Sequence, residues 1–326
     1  MSCEWRDKIF SVNEAGFLRL ALETFHYQYQ QNPVYKQFVD ALHADLSIIR
    51  SIQQIPFLPI RFFKSHEIKS STFNPEIIFE SSGTTQTVNS RHFVRYTDLY
   101  EESFLTGFEE MYGSVQNWCI LGLLPSYLER GNSSLVYMVD KLVKLSENPD
   151  SGFYLYNEEA LAGKLAMLEA RQQKTLLIGV TYALLDFAEK FPMQLNSTII
   201  METGGMKGRK KEMVRDEVHQ ILMKAFGLSS IHAEYGMTEL LSQAYSKGNG
   251  IYKSPAWMKC IVREEDDPLS THVTGTGVLN VIDLANIYSC SFIATDDAGK
   301  VYEDGSFEVM GRTDGSDLRG CSLMVV

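Results

Sequence analysis

Cysteine is scarce and unpaired in this sequence. Five are spread over 326 residues (Cys3, Cys119, Cys260, Cys290, Cys321), none in a CxxC pair, a spacing that fits neither a disulfide framework nor a zinc site. No apolar run approaches the roughly 20 residues of a membrane span, and the start, MSCEWRDKIFSV, lacks the basic and apolar regions of a signal peptide. A reducing cytoplasm is the expected compartment. Basic residues are also in deficit, with 30 Lys plus Arg against 41 Asp plus Glu and a net charge of −11. That balance argues against nucleic acid as a partner, because such affinity rests on neutralising phosphates. No GxxxxGK[ST] loop occurs, and Ser126 is not in a GxSxG elbow, so an esterase reading fails.

What is present is an ordinary globular composition, 44% hydrophobic and 22% charged, in a chain long enough to bury a core without disulfides or metal. Asn13 reads as the N-cap of a helix whose Phe17, Leu18, Ala21, Leu22, Phe25 and Tyr29 share a face. From about residue 76, short apolar runs suited to buried strands (Ile77–Phe79, Trp118–Leu124, Leu176–Val180, Ile199–Met201, Ser230–Ala233) alternate with helical patterns. These include Leu161/Leu165/Leu168, Tyr182–Phe187, and Met213/Val214/Val218/Ile221/Leu222/Ala225 closed by Gly227. The alternation predicts an α/β fold with a mostly parallel sheet and flanking helices. After about residue 250 the texture becomes β-rich, with an Asp-Gly turn at 304–305 pointing to antiparallel hairpins. The expected division is an N-terminal helical region at 1–75, an α/β core at 76–249, and a β-rich part at 250–326.

Four segments carry chemistry. Phe79-Glu-Ser-Ser-Gly-Thr-Thr85 follows a strand and sets four hydroxyls around one glycine, where side-chain oxygens and backbone N–H groups can converge on a phosphate chain; a polar turn reads the same way. Glu202-Thr-Gly-Gly-Met-Lys-Gly-Arg209 lies between a strand and a helix, so glycines and a helix N-terminus can meet an anion, or simply begin a basic helix. Glu234-Tyr-Gly-Met-Thr-Glu239 ends a strand, with a flat ring in Tyr235 and a carboxylate in Glu239 suited to a hard cation, or to a helix start. Thr295-Asp-Asp-Ala-Gly299 reads as a short hairpin before Gly311-Arg312, with Asp297 suited to a ribose diol and Arg312 to ribose or phosphate, or both as solvated charges. His232 is either a general base or a hydrogen-bonded strand histidine.

The order and separation of these segments resemble the adenylate-forming superfamily of acyl- and aryl-CoA ligases, adenylation domains and luciferases. Within it, Leu123-Leu-Pro-Ser-Tyr-Leu-Glu-Arg-Gly-Asn-Ser-Ser134, Glu202–Arg209 and the ending Asp317-Leu-Arg-Gly-Cys-Ser-Leu-Met324 resemble the acyl-protein synthetase (LuxE-type) family. The resemblance implies an adenylate-forming large-domain fold, ATP and Mg²⁺ as cofactors, and a carboxylic acid, chiefly a fatty acid, as substrate. Ser81, Ser82, Gly83, Thr84 and Thr85 would hold phosphates, and Gly204 and Gly205 would border the adenine. Tyr235, Gly236, Met237 and Thr238 would line the adenine and the acyl carboxylate, with Glu239 on Mg²⁺, Asp297 on the ribose and Arg312 assisting. Cys321 would accept the acyl group as a thioester, making Cys321, Thr238 and Glu239 the catalytic set. The thiolate is the nucleophile, and Arg319 or Arg312 would lower its pKa. The chain ends just after the hinge motif, so the small domain that supplies a lysine elsewhere in the superfamily is expected to be absent, its cation coming from Lys207, Arg130 or a partner subunit. An acyl reductase or an acyltransferase or carrier would take the product. Two other readings stay open: a coenzyme A or carrier ligase with Cys321 idle, and a non-catalytic nucleotide-binding subunit. Oligomeric state is open as well.

Overall fold

The computed structural model describes residues 3–81, 88–124, 131–204 and 213–313. These form two compact units, one from residues 3–104, 237–243 and 253–313, the other from 105–236 and 244–252.

In the first unit the expected N-cap is in place: the Asn13 side chain accepts from Gly16 N at 3.0 Å and starts the helix Glu14–Gln31. Asn32 serves twice. Its N–H caps that helix at Gln28 O, and its side chain accepts from Tyr35 N to start Pro33–Ala41. The buried stripe of the first helix is Phe17, Leu20, Ala21, Thr24, Phe25 and Gln28, so the expected face is corrected: Leu18 is 42% exposed. The face turns because Gln28 is accepted into the core. Its amide donates to the carbonyls of Asn286 and Ile287 and to Ser291 Oγ, and its oxygen accepts from Ser291 N. An apolar periodicity cannot register a polar side chain whose partners lie more than 250 residues away. Around it, Phe25, Tyr35 and Phe57 pack on Phe292 at centroid distances of 6.1–6.3 Å.

The β-rich part is an antiparallel array in the order Thr271–His272, Met258–Arg263, Gly275–Asp283, Phe292–Val301, Phe307–Arg312. Leu58–Pro59 adds a short parallel pairing to Ile293–Ala294. The Asp-Gly turn forms as expected, with Gly305 at φ +80°. The expected hairpin at Thr295–Gly299 does not: those residues are interior to the ten-residue strand Phe292–Val301. A Cβ at Gly299 would sit 2.3 Å from Glu308 O, so this glycine permits close strand approach rather than a turn. Ile77–Glu80, expected among the parallel strands, pairs instead with Arg91–Val94 as an antiparallel hairpin.

The second unit holds the parallel strands in the order Gly152–Phe153, Cys119–Leu123, Thr175–Gly179, Thr198–Glu202, His232–Tyr235, with Ala244–Ser246 added antiparallel. Cys119–Leu123 and Thr175–Gly179 are buried throughout, as near-continuous apolar parallel strands should be. Helices Glu158–Ala170, Thr181–Lys190 and Arg215–Phe226 supply Leu161, Leu165, Leu168, Leu184, Phe187, Val218, Leu222 and Phe226 to the core. The last helix ends at Gly227 in the left-handed conformation (φ +64°), as its sequence predicts. Its buried face is not wholly the expected one: Ile221 is exposed and His219 is buried.

Replacing Gln28 by Leu should lower unfolding stability by about 3 kcal/mol, since it strands buried carbonyls and an N–H that each cost about 1–3 kcal/mol when unpaired. Urea unfolding followed by far-UV dichroism reads this directly, and an unchanged midpoint would show that the amide contributes no stability.

Candidate active site

In the second unit two of the candidate segments lie at the carboxyl ends of adjacent parallel strands, where open α/β sheets bind ligands. Glu202 ends the strand Thr198–Glu202 and pairs with Ala233 of the neighbouring strand. Its side chain is buried. Oε2 accepts from Thr181 Oγ1 and from Gly204 N, both at 2.9 Å. Oε1 faces Arg215 Nε at 3.5 Å and His219 Nε2 at 3.6 Å. Burial alone would raise this carboxyl, but His219, Arg215 and the Gly204 N–H outweigh it and hold it down at about 2. Gly204 has φ +72° and open space where a Cβ would stand, so its requirement is conformational rather than steric.

Next to Glu202, Glu234 is driven the other way. Burial, and then the charge of Glu202, push it up to about 8, so at neutral pH one carboxyl is ionised and its neighbour protonated. Tyr235 packs against Tyr252 at 5.9 Å, and the Arg215 guanidinium lies over the Tyr252 ring at 5.3 Å. Gly236 follows, half-buried. His232 shares a hydrogen bond between Nδ1 and the Tyr112 hydroxyl at 3.1 Å, and burial, then Lys247, lower it to about 4. It is a neutral strand histidine in a polar contact.

The first unit carries the rest of the set. Ser81 closes the base of the Ile77–Glu80/Arg91–Val94 hairpin, its Oγ accepting from Ser90 N at 2.9 Å. One residue into the returning strand, His92 is buried and lowered to about 4, chiefly by burial. Its Nδ1 lies 2.7 Å from Thr238 O, so the neutral ring carries its proton there and donates to the carbonyl. Met237 and Thr238 are half-buried, Glu239 is fully buried, and its carbonyl accepts from Asn286 Nδ2 at 2.6 Å. Asp283 braces the following residues by accepting from Leu241 N, Ser242 N and Ser242 Oγ. Asp297 and Arg312 are cross-strand partners, with Arg312 Nε 3.3 Å from Asp297 Oδ1. The pairing places the ribose candidate and its assistant side by side.

Among the described residues no group of three or more His, Cys, Asp or Glu could hold a metal. Mg²⁺ needs one or two carboxylates when phosphates and water complete its shell; Glu239 is a candidate by its chemistry, and its side chain is fully buried. Ser82, Gly83, Thr84, Thr85, Gly205 and Cys321 lie outside the described residues, as do Arg130 and Lys207. Cys119, Cys260 and Cys290 are free and buried. Burial raises all three thiols, Cys119 to about 11 and Cys290 to about 12, which makes them poor nucleophiles.

Sequence reasoning missed the partners of Glu202. The signal was present: Arg215 and His219 are four residues apart on one helix, hence on one face, just beyond a strand that ends in Glu. His92 and Asn286 gave no such signal, because their partners are main-chain carbonyls remote in sequence.

The architecture is that of adenylate-forming enzymes. 2-Hydroxyisobutyryl-CoA ligase, solved in the postadenylation state with R3-HIB-AMP, superposes with a TM-score of 0.66 at 11% identity over 94% of this chain and 70% of its own. Apo MatB from Rhodopseudomonas palustris gives 0.52 at 16% identity over 75% of this chain and 49% of its own. O-succinylbenzoate coenzyme A synthetase (MenE) from Bacillus subtilis, in complex with ATP and magnesium, gives 0.51 at 15% over 74% and 51%. The chain thus spans about half the length of the latter two. No curated protein matches it in sequence. The family model of the acyl-protein synthetase LuxE matches residues 5–326, and the chain belongs to that family.

The Glu234 shift has a sign that can be measured. Its folded value of about 8 lies above the ordinary carboxylate value of about 4.3. Its contribution to stability is therefore full below about pH 4 and is lost as pH rises through about 8. Glu234→Gln should gain thermal stability relative to the parent protein between about pH 6 and about pH 9. Melting curves at both pH values check this, and an equal difference at each would refute it.

Proposed function

We propose that the protein activates a carboxylic acid, chiefly a fatty acid, with ATP and then carries the acyl group as a thioester on Cys321. The observation that supports this most is the placing of the Glu202–Gly204 turn and the Tyr235-Gly236 segment at the carboxyl ends of neighbouring parallel strands, in a chain of the LuxE family. In the first step a carboxylate oxygen of the acid attacks the α-phosphorus of ATP. The new bond joins acyl oxygen to phosphorus, and the bond to the β-phosphate oxygen breaks, releasing pyrophosphate. In the second, the Cys321 thiolate attacks the acyl carbon, a C–S bond forms, and AMP leaves with the electrons of the C–O bond.

The residues divide the work. Ser81, Ser82, Gly83, Thr84 and Thr85 take the phosphates through hydroxyls and backbone N–H groups. Gly204 and Gly205 admit the adenine, Tyr235 offers it a face, and Gly236, Met237 and Thr238 line the adenine and acyl carboxylate. Asp297, oriented by Arg312, accepts from the ribose hydroxyls. Glu239 holds a Mg²⁺ that arrives with ATP, which neutralises phosphate charge. Fixed donors of this kind need no reorganisation as charge develops. The choice of Cys321 as acceptor rests on the resemblance of its segment to the LuxE family; Cys119, Cys260 and Cys290 are buried and held protonated, which suits them poorly to the role. An acyl reductase or an acyltransferase then receives the acyl group.

Intact-protein mass spectrometry after incubation with ATP, Mg²⁺ and a series of fatty acids tests the whole scheme. The parent protein should gain one acyl mass, mapped to Cys321. Cys321→Ala should lose the adduct yet still release pyrophosphate in a first turnover. An adduct that survives the substitution would move the acceptor elsewhere, and pyrophosphate without any adduct would favour coenzyme A or a carrier thiol. Neither signal would support a binding role alone.

A further inference from the structure

Glu202 is not among the residues assigned to ATP or acid above, yet it is buried and partnered on both carboxylate oxygens. We infer that Glu202 is the positioning residue of the Thr203-Gly204 turn, holding the main chain of that turn in the geometry that receives the nucleotide. This rests on the reading above for what the turn binds.

The turn is tied at several points. Gly204 N donates to Glu202 Oε2, and Gly204 O accepts from Thr181 N at 3.2 Å. Thr181 Oγ1 donates to the same Oε2, so one carboxylate oxygen and one threonine fix both polar groups of the glycine. Thr203 N is held by Gly179 O at 3.1 Å. The φ of +72° at Gly204 is a conformation that glycine adopts without strain and that other residues rarely take, so the hydrogen bonds select it from the many open to glycine. The opposite oxygen of Glu202 faces Arg215 and His219, which come from the helix Arg215–Phe226. One carboxylate thus holds the chain at Gly204 and again at the start of that helix.

The ionised carboxylate is the stronger acceptor and sets a counter-charge opposite the half-buried Arg215, while a neutral side-chain oxygen in the same place can still accept from Gly204 N and Thr181 Oγ1. The groups that face it are Thr181, Arg215, His219 and Glu234, and together they leave Glu202 charged and Glu234 neutral. Oε2 is committed to Thr181 and Gly204, and the low proton affinity makes the group a poor base. Positioning is the role its chemistry permits. Arg215 also covers Tyr252, which packs on Tyr235, so the same charge cluster supports the neighbouring adenine-facing ring.

Three variants test the inference: Glu202→Ala removes the acceptor, Glu202→Gln keeps a neutral acceptor, and Thr181→Val removes one donor with little change of shape. Two readouts are needed: initial rates of pyrophosphate release against ATP concentration, and hydrogen–deuterium exchange of the peptide covering Thr203 and Gly204. Glu202→Ala should raise the KM for ATP about tenfold while kcat changes less than about threefold, as expected for loss of hydrogen bonds that support binding. Glu202→Gln should bring KM back to within about threefold of the parent, and Thr181→Val should raise it by about threefold. The turn peptide should exchange faster in Glu202→Ala and Thr181→Val than in Glu202→Gln, with the strand Cys119–Leu123 unchanged in all. If Glu202→Ala does not fold, Thr181→Val and Glu202→Gln still decide the matter. A fall in kcat at constant ATP KM, or turn exchange equal to that of the parent protein, would overturn the inference. Should the parent protein release no pyrophosphate, the proposed function fails separately, and the exchange readout still decides whether Glu202 holds the turn.

Discussion

The first unit depends on satisfying the buried backbone of residues 283–291. A main-chain N–H or carbonyl taken out of water costs free energy unless it finds a partner, and here the partners come from far along the chain. Gln28 and Asn32 reach this segment from the N-terminal helices, Ser70 donates to Ser289 O, and Asn286 donates to Glu239 O. Asp283 accepts four hydrogen bonds, from Leu241, Ser242 and Ala285, against a burial that pushes its carboxyl up to about 6. The unit is assembled from three separated stretches of chain. These buried polar bonds, together with the aromatic packing on Phe292, specify which stretches belong together. The Thr238-Glu239 segment is located by the same bonds, through His92 and Asn286.

The second unit solves a different problem. Parallel strands bring several chain ends to one edge, where donors and charges collect. Glu202 and Glu234 sit there as neighbours, and the cluster resolves their repulsion by ionising one and protonating the other. Arg215 and His219 decide which. The outcome is a fixed negative charge inside the protein that organises a glycine turn, with the phenol ring of Tyr235 supported beside it. Function of the kind proposed would then rest on preorganised main chain as much as on side chains.

Local and periodic signals were readable from the residues alone. Asn13 as a cap, Gly227 as a helix stop, the Asp304-Gly305 turn and the Leu161/Leu165/Leu168 stripe all act within one or two turns of chain, so their physics is contained in a short window. The strands at Cys119–Leu123, Thr175–Gly179 and Thr198–Glu202 were legible for the same reason, being short apolar runs between helical patterns. Where periodicity misled, a polar residue had been taken into the core. Gln28 lies on the buried face of its helix and Leu18 does not, and His219 is buried where Ile221 is exposed. The order of the motifs made the family legible as well.

Taken by itself, the sequence determined the α/β class, the β-rich C-terminal part and the ordered motif set that marks the family. Tertiary structure decided what those residues touch. It made Ile77–Glu80 a hairpin, put Asp297 within a long strand opposite Arg312, and placed His92 against Thr238. It also brought Thr181, Gly204, Arg215 and His219 to Glu202. Pairing across strands and between distant segments depends on register and burial, and these are properties of the packed chain that no local window of sequence contains.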